Sequence, residues 1–205
     1  MKKSTLIKIG IAVALVLIIC VPTCSSYNKM VTAEQDVDQS WAQVENQYQR
    51  RLDLIPNLVN TVKGYAAHES TTLQNVTNAR VGLPSDSALM QAYNGVNRNE
   101  LATPSAKNIE AMQNLDRQMR LYINAVHEAY PDLKASQNFT RLQDVLEGTE
   151  NRVATERGRY TEAVRNYNVR IKKFPGNIVA SIFGFESKPQ FEAEEGASKA
   201  PVVSF

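Results

Sequence analysis

The chain has 205 residues, 43% of them apolar and 21% charged, with a net charge of +2. That length holds one domain of roughly 150 residues beside an apolar leader. Without Lys2, Lys3 and Lys8 the charge falls to about −1, so no basic face is implied and no nucleic-acid partner is expected. The only cysteines, Cys20 and Cys24, lie in or beside the apolar leader, which rules out a disulfide framework or zinc site in the remainder.

Residues 1–8 are basic, and Ile9 to Val21 is an apolar run broken only by Gly10. With Leu6 and Ile7 it offers about sixteen residues, short of the roughly twenty that span a bilayer comfortably. A snorkelling Lys8 extends the usable length. The expectation is a retained single-pass transmembrane helix that touches the lipid bilayer through residues 6–24. Two alternatives stand beside it. One is a lipoprotein anchored at Cys24, although Val21-Pro22-Thr23 lacks the small residue usual before a modified cysteine. The other is a fully secreted chain. Lys2, Lys3 and Lys8 precede the run and only Lys29 lies close on its other side. The positive-inside rule then sets the N-terminus in the cytoplasm and the domain outside a bacterial inner membrane.

From Tyr27 to Arg80 the apolar pattern is helical. Trp41, Tyr48, Ile55 and Val62 fall every seventh residue, as do Met30, Val37, Val44, Arg51, Leu58 and Tyr65. Pro56 sits inside this stretch, lacks a backbone donor and clashes with the carbonyl of Leu52. Both series pass it in phase, so the spacing predicts one long helix, kinked at Pro56, about 80 Å in length. Gly82-Leu83-Pro84 ends it, and Ser85 or Asp86 can cap the next segment. That segment, Ser85 to Tyr130, is weak at Asn94-Gly95 and Thr103-Pro104. It reads as a short or irregular helix, then a firm one with Pro104 as first residue. Ile109, Met112, Leu115, Met119, Tyr122, Ile123, Val126 and Tyr130 form its stripe.

After a turn at Pro131-Asp132 comes the cleanest heptad: Phe139, Leu146, Val153, Tyr160, Tyr167 and Phe174, with Leu142, Thr149, Glu156, Val164 and Ile171 alongside. It predicts a helix from about Pro131 to Phe174. Gly148 and Gly158 lie inside it, where close approach of a neighbouring helix is their expected reason. Pro175-Gly176 stops it. Ile178, Val179, Ile182, Phe183 and Phe185 then form an apolar turn, read as a plug on the bundle end or an exposed lip. Residues 186–205 are polar.

Several stretches carry a resemblance: RRLDLIPNLVNTVKGYAAHE (Arg50 to Glu69), Tyr27-Asn28, YPDLKASQNF (Tyr130 to Phe139), LQDVLEGTENRV (Leu142 to Val153), YNVRIKKFPGN (Tyr167 to Asn177) and FGFESKPQFEA (Phe183 to Ala193). In this order they are similar to the LemA family of bacterial membrane-anchored helical proteins, one branch of which is associated with magnetosome membranes. The resemblance implies a fold and a membrane address but no reaction.

The expected fold is all-α: an anchor at 1–25, a LemA-like bundle of long antiparallel helices at 26–185 and a polar tail at 186–205. Three long helices are expected, or a four-helix up-and-down bundle if the chain breaks at Pro56. In the three-helix arrangement the first and last helices run parallel. Arg51, a charged intruder in an apolar seam, reads either as an arginine snorkelling at the seam edge or as one member of a buried pair that sets register with Glu156, the intruder at equal height, with Asp53 and Arg157 nearby. No nucleophile elbow, phosphate loop or HExxH occurs. His68-Glu69 and His127-Glu128 are isolated pairs on surface helices. Glu34, Asp36 and Asp38 form a solvated face.

No catalytic, cofactor or metal residues are therefore assigned, and the expectation is a non-enzymatic scaffold or adaptor of the cell envelope. A self-oligomerising membrane-remodelling protein and a weak ligand-binding or enzymatic domain are the alternatives. Arg50, Asp53 and Asn57 at the Pro56 kink are the candidate residues for an unidentified protein partner or a homo-oligomer contact.

Overall fold

The computed structural model describes residues 3–72 and 86–191; side chains of residues 3–9, 12, 15, 16, 19, 68–72, 134 and 135 are not among those described. All regular structure in the described residues is helical. Helix α1 spans Lys3–Thr72, α2 Asp86–Gly95, α3 Ala106–Ala129, α4 Gln137–Lys172 and α5 Gly176–Phe183, with a 3-10 turn at Pro131–Ala135 before α4. The expected helix stop at Gly82-Leu83-Pro84 and cap at Ser85 lie outside the described residues, as does the tail beyond Phe191.

Helix α1 runs unbroken through both Pro22 and Pro56. Pro56 can neither donate to Leu52 nor relieve its ring clash without bending. One turn on, the Thr61 hydroxyl donates to the carbonyl of Asn57 at 2.8 Å, a back-bond that also bends helices. What keeps the helix going is its seam. Val37, Trp41, Val44, Tyr48, Leu52, Ile55, Leu58 and Val62 are all buried to within 1%. Each such side chain contributes about 1.5–3 kcal/mol of apolar burial, so a break that rotated the seam outward would lose far more than the proline costs.

The direction of each helix is fixed by which residues meet. Lys63 pairs with Asp86, Asp53 with Arg98, and the Trp41 indole donates to the carbonyl of Leu101 at 2.7 Å. Thus α2 and the loop after it descend alongside α1. Tyr48 meets Asp116 and Tyr65 meets Tyr130, so α3 ascends with α1. Arg51 meets Glu150, Trp41 meets Tyr160, and Arg170 reaches the carbonyl of Lys29, so α4 descends. The middle segment divides at Val96–Ser105, and the chain therefore crosses the bundle four times although α1 does not break at Pro56. This corrects the expected parallel pairing of first and last helices: an extra reversal lies between them, and α1 and α4 are antiparallel.

Local details differ from expectation too. Helix α3 starts later than Pro104 would set it. Ser105 is its N-cap, extended at φ −129° and ψ 151°, and its hydroxyl accepts from the Asn108 amide. The Asn108 side chain donates to the carbonyls of Glu100 and Thr103, so one buried amide holds the whole preceding loop. Phe174, last in the α4 heptad, is 80% exposed, because α4 ends at Lys172 and the chain leaves the seam before it. Gly148 and Gly158 have open space where a side chain would stand, so no neighbouring helix explains them. Gly176 is the glycine with a steric reason: a Cβ there would lie 2.5 Å from the carbonyl oxygen of Arg170 and 2.9 Å from the Met30 methyl.

Helix α5 folds back over the bundle end, where the packed part of α1 begins and α4 finishes. Val179 and Ala180 are buried there, while Ile178, Ile182 and Phe183 face outward. Tyr27 packs against Phe183 and Phe185, with ring centres 4.8 and 5.6 Å away. Both readings of this turn hold at once, one face a plug and the other an apolar lip. On the far side of it α1 continues away from the bundle, with Ile11, Val13, Leu17, Ile18 and Val21 more than half exposed. No helix of the described residues is long and apolar enough to cross a membrane.

Candidate functional site

Midway along the bundle, apolar packing gives way to a buried charge network. The Asp116 carboxylate on α3 is 1% exposed and receives donors from α1 and α4. Arg51 of α1 donates Nη1 to Oδ1 at 2.7 Å. The Tyr48 hydroxyl donates to Oδ2 at 2.7 Å, and Arg157 of α4 donates to the same oxygen. The second arm of Arg51 reaches Glu150 of α4 at 3.3 Å, and Arg120 of α3 approaches the other oxygen of that carboxylate at 3.5 Å. Three helices thus share one set of charges. Buried carboxylates and guanidiniums survive only when paired and hydrogen-bonded, and here nearly every polar atom is. Arg51 Nε is an exception, with no hydrogen-bond partner among the described residues.

Arg51 is therefore a buried, ion-paired arginine and not one snorkelling at the seam edge, but its partner is not Glu156. Antiparallel α1 and α4 bring Glu150 to its height, and Glu156 is instead paired with Arg159 on its own helix at 2.9 Å. Asp53 is exposed and paired with Arg98; Arg157 does join the network. The carboxylate that matters, Asp116, escapes a reading of the α3 stripe as wholly apolar. Its signal is nonetheless in the sequence: Ile109, Asp116, Ile123 and Tyr130 are spaced by seven, so Asp116 is the charged intruder of α3 as Arg51 is of α1. Chemically this arrangement ties α1, α3 and α4 together. Its carboxylate is sealed from solvent and its acceptor sites face arginines and a tyrosine.

Beside the network lies a groove between α1 and α4, filled by the residues after α5. Gly184 closes α5 with a left-handed φ of 75°, and the chain then extends from Phe185 to Phe191 along both helices. The Asn168 side chain donates to the carbonyl of Lys188 and accepts from its amide, both at 3.0 Å. The Lys188 ammonium pairs with Glu34 at 2.8 Å. The Tyr160 hydroxyl donates to the carbonyl of Pro189 at 2.8 Å. Phe191 stacks against Trp41 and meets Tyr160 edge-on, and the Arg157 guanidinium lies 4.8 Å from its ring centre and 5.3 Å from that of Tyr48. Burial pushes the phenols of Tyr160 and Tyr167 up, Tyr167 to about 12, with the carboxylates of Glu34 and Asp38 adding to the effect.

The remaining candidates are dispersed. Arg50, Asp53 and Asn57 are exposed on α1 around half-buried Pro56. Arg50 and Asp53 line a shallow groove of about 460 Å³ with Asp144, Val145, Gly148 and Arg152 of α4. His127 is absorbed into packing, bonded to Gln143 and edge-on to Phe139 at 5.9 Å. His68 lies in α1 with its side chain outside the described residues. Among the described residues no group of His, Cys, Asp and Glu could hold a metal ion.

The sequence is similar to those of known proteins. The Magnetosome proteins MamQ 1 and MamQ 2 of Paramagnetospirillum magneticum (strain ATCC 700264 / AMB-1) are each 28% identical to it over 187 residues, covering 87% of this chain and 68% of theirs. The Magnetosome protein MamQ of Magnetospirillum gryphiswaldense is 26% identical over 188 residues, with the same coverage. The LemA family model matches residues 40–205, which takes in the later part of α1, the buried network and the α4 side of the strapped groove, and the chain belongs to the LemA family.

Proposed function

We propose that this protein is a membrane-anchored, non-enzymatic helical scaffold or adaptor of the cell envelope. The observation that carries the reading is α1 itself. Its apolar leader, with Ile11, Val13, Leu17, Ile18 and Val21 exposed, continues without a break into the bundle seam. Exposed apolar side chains on that scale need a covering surface, and a bilayer supplies one. The outward face of α5 and Phe174 sit at the same end and supply an apolar lip beside it. The charge pattern around the leader favours an N-terminus inside and a bundle outside. Protease treatment of intact spheroplasts should then digest the bundle, and full protection reverses the orientation. Mass spectrometry of the mature protein separates an intact N-terminus from a lipid on Cys24.

The face offered to a partner surrounds Pro56, with Arg50 and Asp53 lining the groove beside Gly148 and Asn57 exposed one turn further along α1. Affinity capture from crosslinked membranes should return a defined partner, and Asn57→Ala should abolish that capture while leaving the bundle folded. Unchanged capture removes this face. A second reading, a self-oligomerising membrane-remodelling protein, draws on the magnetosome proteins among its relatives; a large homogeneous homo-oligomer in the same experiment favours it.

A further inference from the structure

The segment Phe185–Phe191 has no secondary structure of its own, so what holds it is the groove. Its length fits the groove: six extended residue steps reach about 20 Å. The contacts run from Tyr27 to Trp41 on α1, fourteen helical residues or about 21 Å. The groove reads the segment at several points. Glu34 takes a cation, Asn168 clamps one backbone amide and carbonyl together, Tyr160 takes the carbonyl of the next residue, and Trp41 with Arg157 takes an aromatic ring. These are the parts of a peptide-recognition site: backbone pairing for affinity, and side-chain pockets for specificity.

We propose that this groove is a recognition site for an extended Lys-Pro-x-Phe segment, and that the occupant which replaces the chain's own Lys188–Phe191 is the same segment of a second copy. The fit of that occupant is the fit already seen, since a second copy presents identical chemistry. Gly184 is the hinge, standing alone between α5 and the strap in a left-handed conformation. Exchange of straps keeps every contact and adds only the cost of association, which is why swapping is a low-cost route to dimers. Within one chain the strap acts as a ligand at millimolar effective concentration, so isolated copies keep their own. Copies crowded side by side exchange them. This names the contact through which the proposed scaffold assembles, and so rests on that reading. The test uses purified protein, so its failure removes the exchange and leaves anchoring and partner capture standing.

Complementation removes the competition within one chain. A full-length copy carrying Lys188→Ala and Phe191→Ala keeps its groove but loses its ligand. A copy carrying Glu34→Ala and Asn168→Ala keeps its ligand but loses its groove. Each alone in detergent should sediment as a monomer, and the equimolar mixture should form a one-to-one heterodimer at least tenfold tighter than either self-association. A mixture that stays monomeric while both variants retain the wild-type helical signal overturns the proposal. If either variant fails to fold, a fluorescent peptide FESKPQF is titrated into the single variant Phe191→Ala, whose own strap has lost its ring anchor. Saturable binding at least tenfold stronger than that of FESKPQA supports the proposal, and equal or absent binding of the two overturns it.

Discussion

Arg50 and Arg51 carry the same charge one residue apart on α1, yet Arg50 stands in solvent over a shallow groove and Arg51 is 1% exposed between Asp116 and Glu150. A helix turns about 100° per residue, so two adjacent side chains can belong to different phases of the fold. The buried arginine is held on α1 by carboxylates of α3 and α4, which makes it part of the packing. The exposed one is free to meet something outside the bundle. The difference between the two regions is desolvation, and it predicts how unequally they respond when a charge is removed.

The largest effect should come from Asp116→Ala, which leaves Arg51 buried without its closest counter-charge. Removing one partner of such a network costs about 3 to 5 kcal/mol. Urea denaturation followed by circular dichroism should show this as a lower midpoint with an unchanged slope. Arg51→Met should cost less, because Tyr48 and Arg157 still satisfy Asp116. The cycle Arg51→Met, Asp116→Leu and the double variant should be strongly non-additive; additive losses would mean that the two charges act separately.

Alkali tests the same buried interior through uncharged groups. Burial pushes the phenol of Tyr122 up to about 12, as it does for Tyr167. An unfolded chain would ionise these groups at about 10. A group whose folded pKa is raised contributes stability that is complete below the unfolded value and is lost as pH rises through the folded one. The bundle should therefore be pH-insensitive up to about 10 on this account, and weaken between about 10 and 12. Tyrosinate absorbance should appear together with loss of helical signal. The Tyr167 hydroxyl has no hydrogen-bond partner among the described residues, so Tyr167→Phe should leave stability unchanged or raised and narrow that alkaline loss.

The glycines give a comparison of their own, and opposite signs. Gly176→Ala drives a methyl into the Arg170 carbonyl and the Met30 methyl, and should destabilise by about 1–3 kcal/mol through overpacking. Gly148→Ala and Gly158→Ala enter open space on an exposed helix face and should each stabilise by up to about 1 kcal/mol. Thermal melts of the three variants check the signs directly. A loss at Gly148 would point to a need for the open groove beside Arg50.

The seams were legible in the sequence because they are local: every seventh residue from Trp41 to Val62 and from Phe139 to Tyr167 is buried where the spacing set it. The all-α class and the passage through Pro56 rest on the same phase. The pairing of helices was not legible, because whether α1 and α4 are parallel depends on how many reversals lie between them. That turned on Val96–Ser105, a loop held by Asn108 and by the indole of Trp41, contacts with no periodicity. From the wrong direction came the wrong partner for Arg51. The strap was hidden for a different reason. Its composition is that of a polar tail, and it is held by a clamp from Asn168 and a cage around Phe191 that no pattern within the strap reveals.

The smallest effect belongs to the exposed side of the comparison. Asp53 pairs with Arg98 at 2.9 Å, a distance close to that between Arg51 and Asp116, but the two side chains are 67% and 43% exposed. Water and salt screen such a pair, so Asp53→Asn should cost about 0–1 kcal/mol and the cost should shrink further at high salt. Arg50→Ala should likewise stay within about 0.5 kcal/mol. Equal lengths with unequal consequences is the outcome that burial requires. If Asp53→Asn matched Asp116→Ala in denaturation, exposure would not be what separates the two arginines, and the kink face would be structural. If both exposed variants are silent in stability but lose the crosslinked partner, α1 divides its charges between holding the bundle and presenting it.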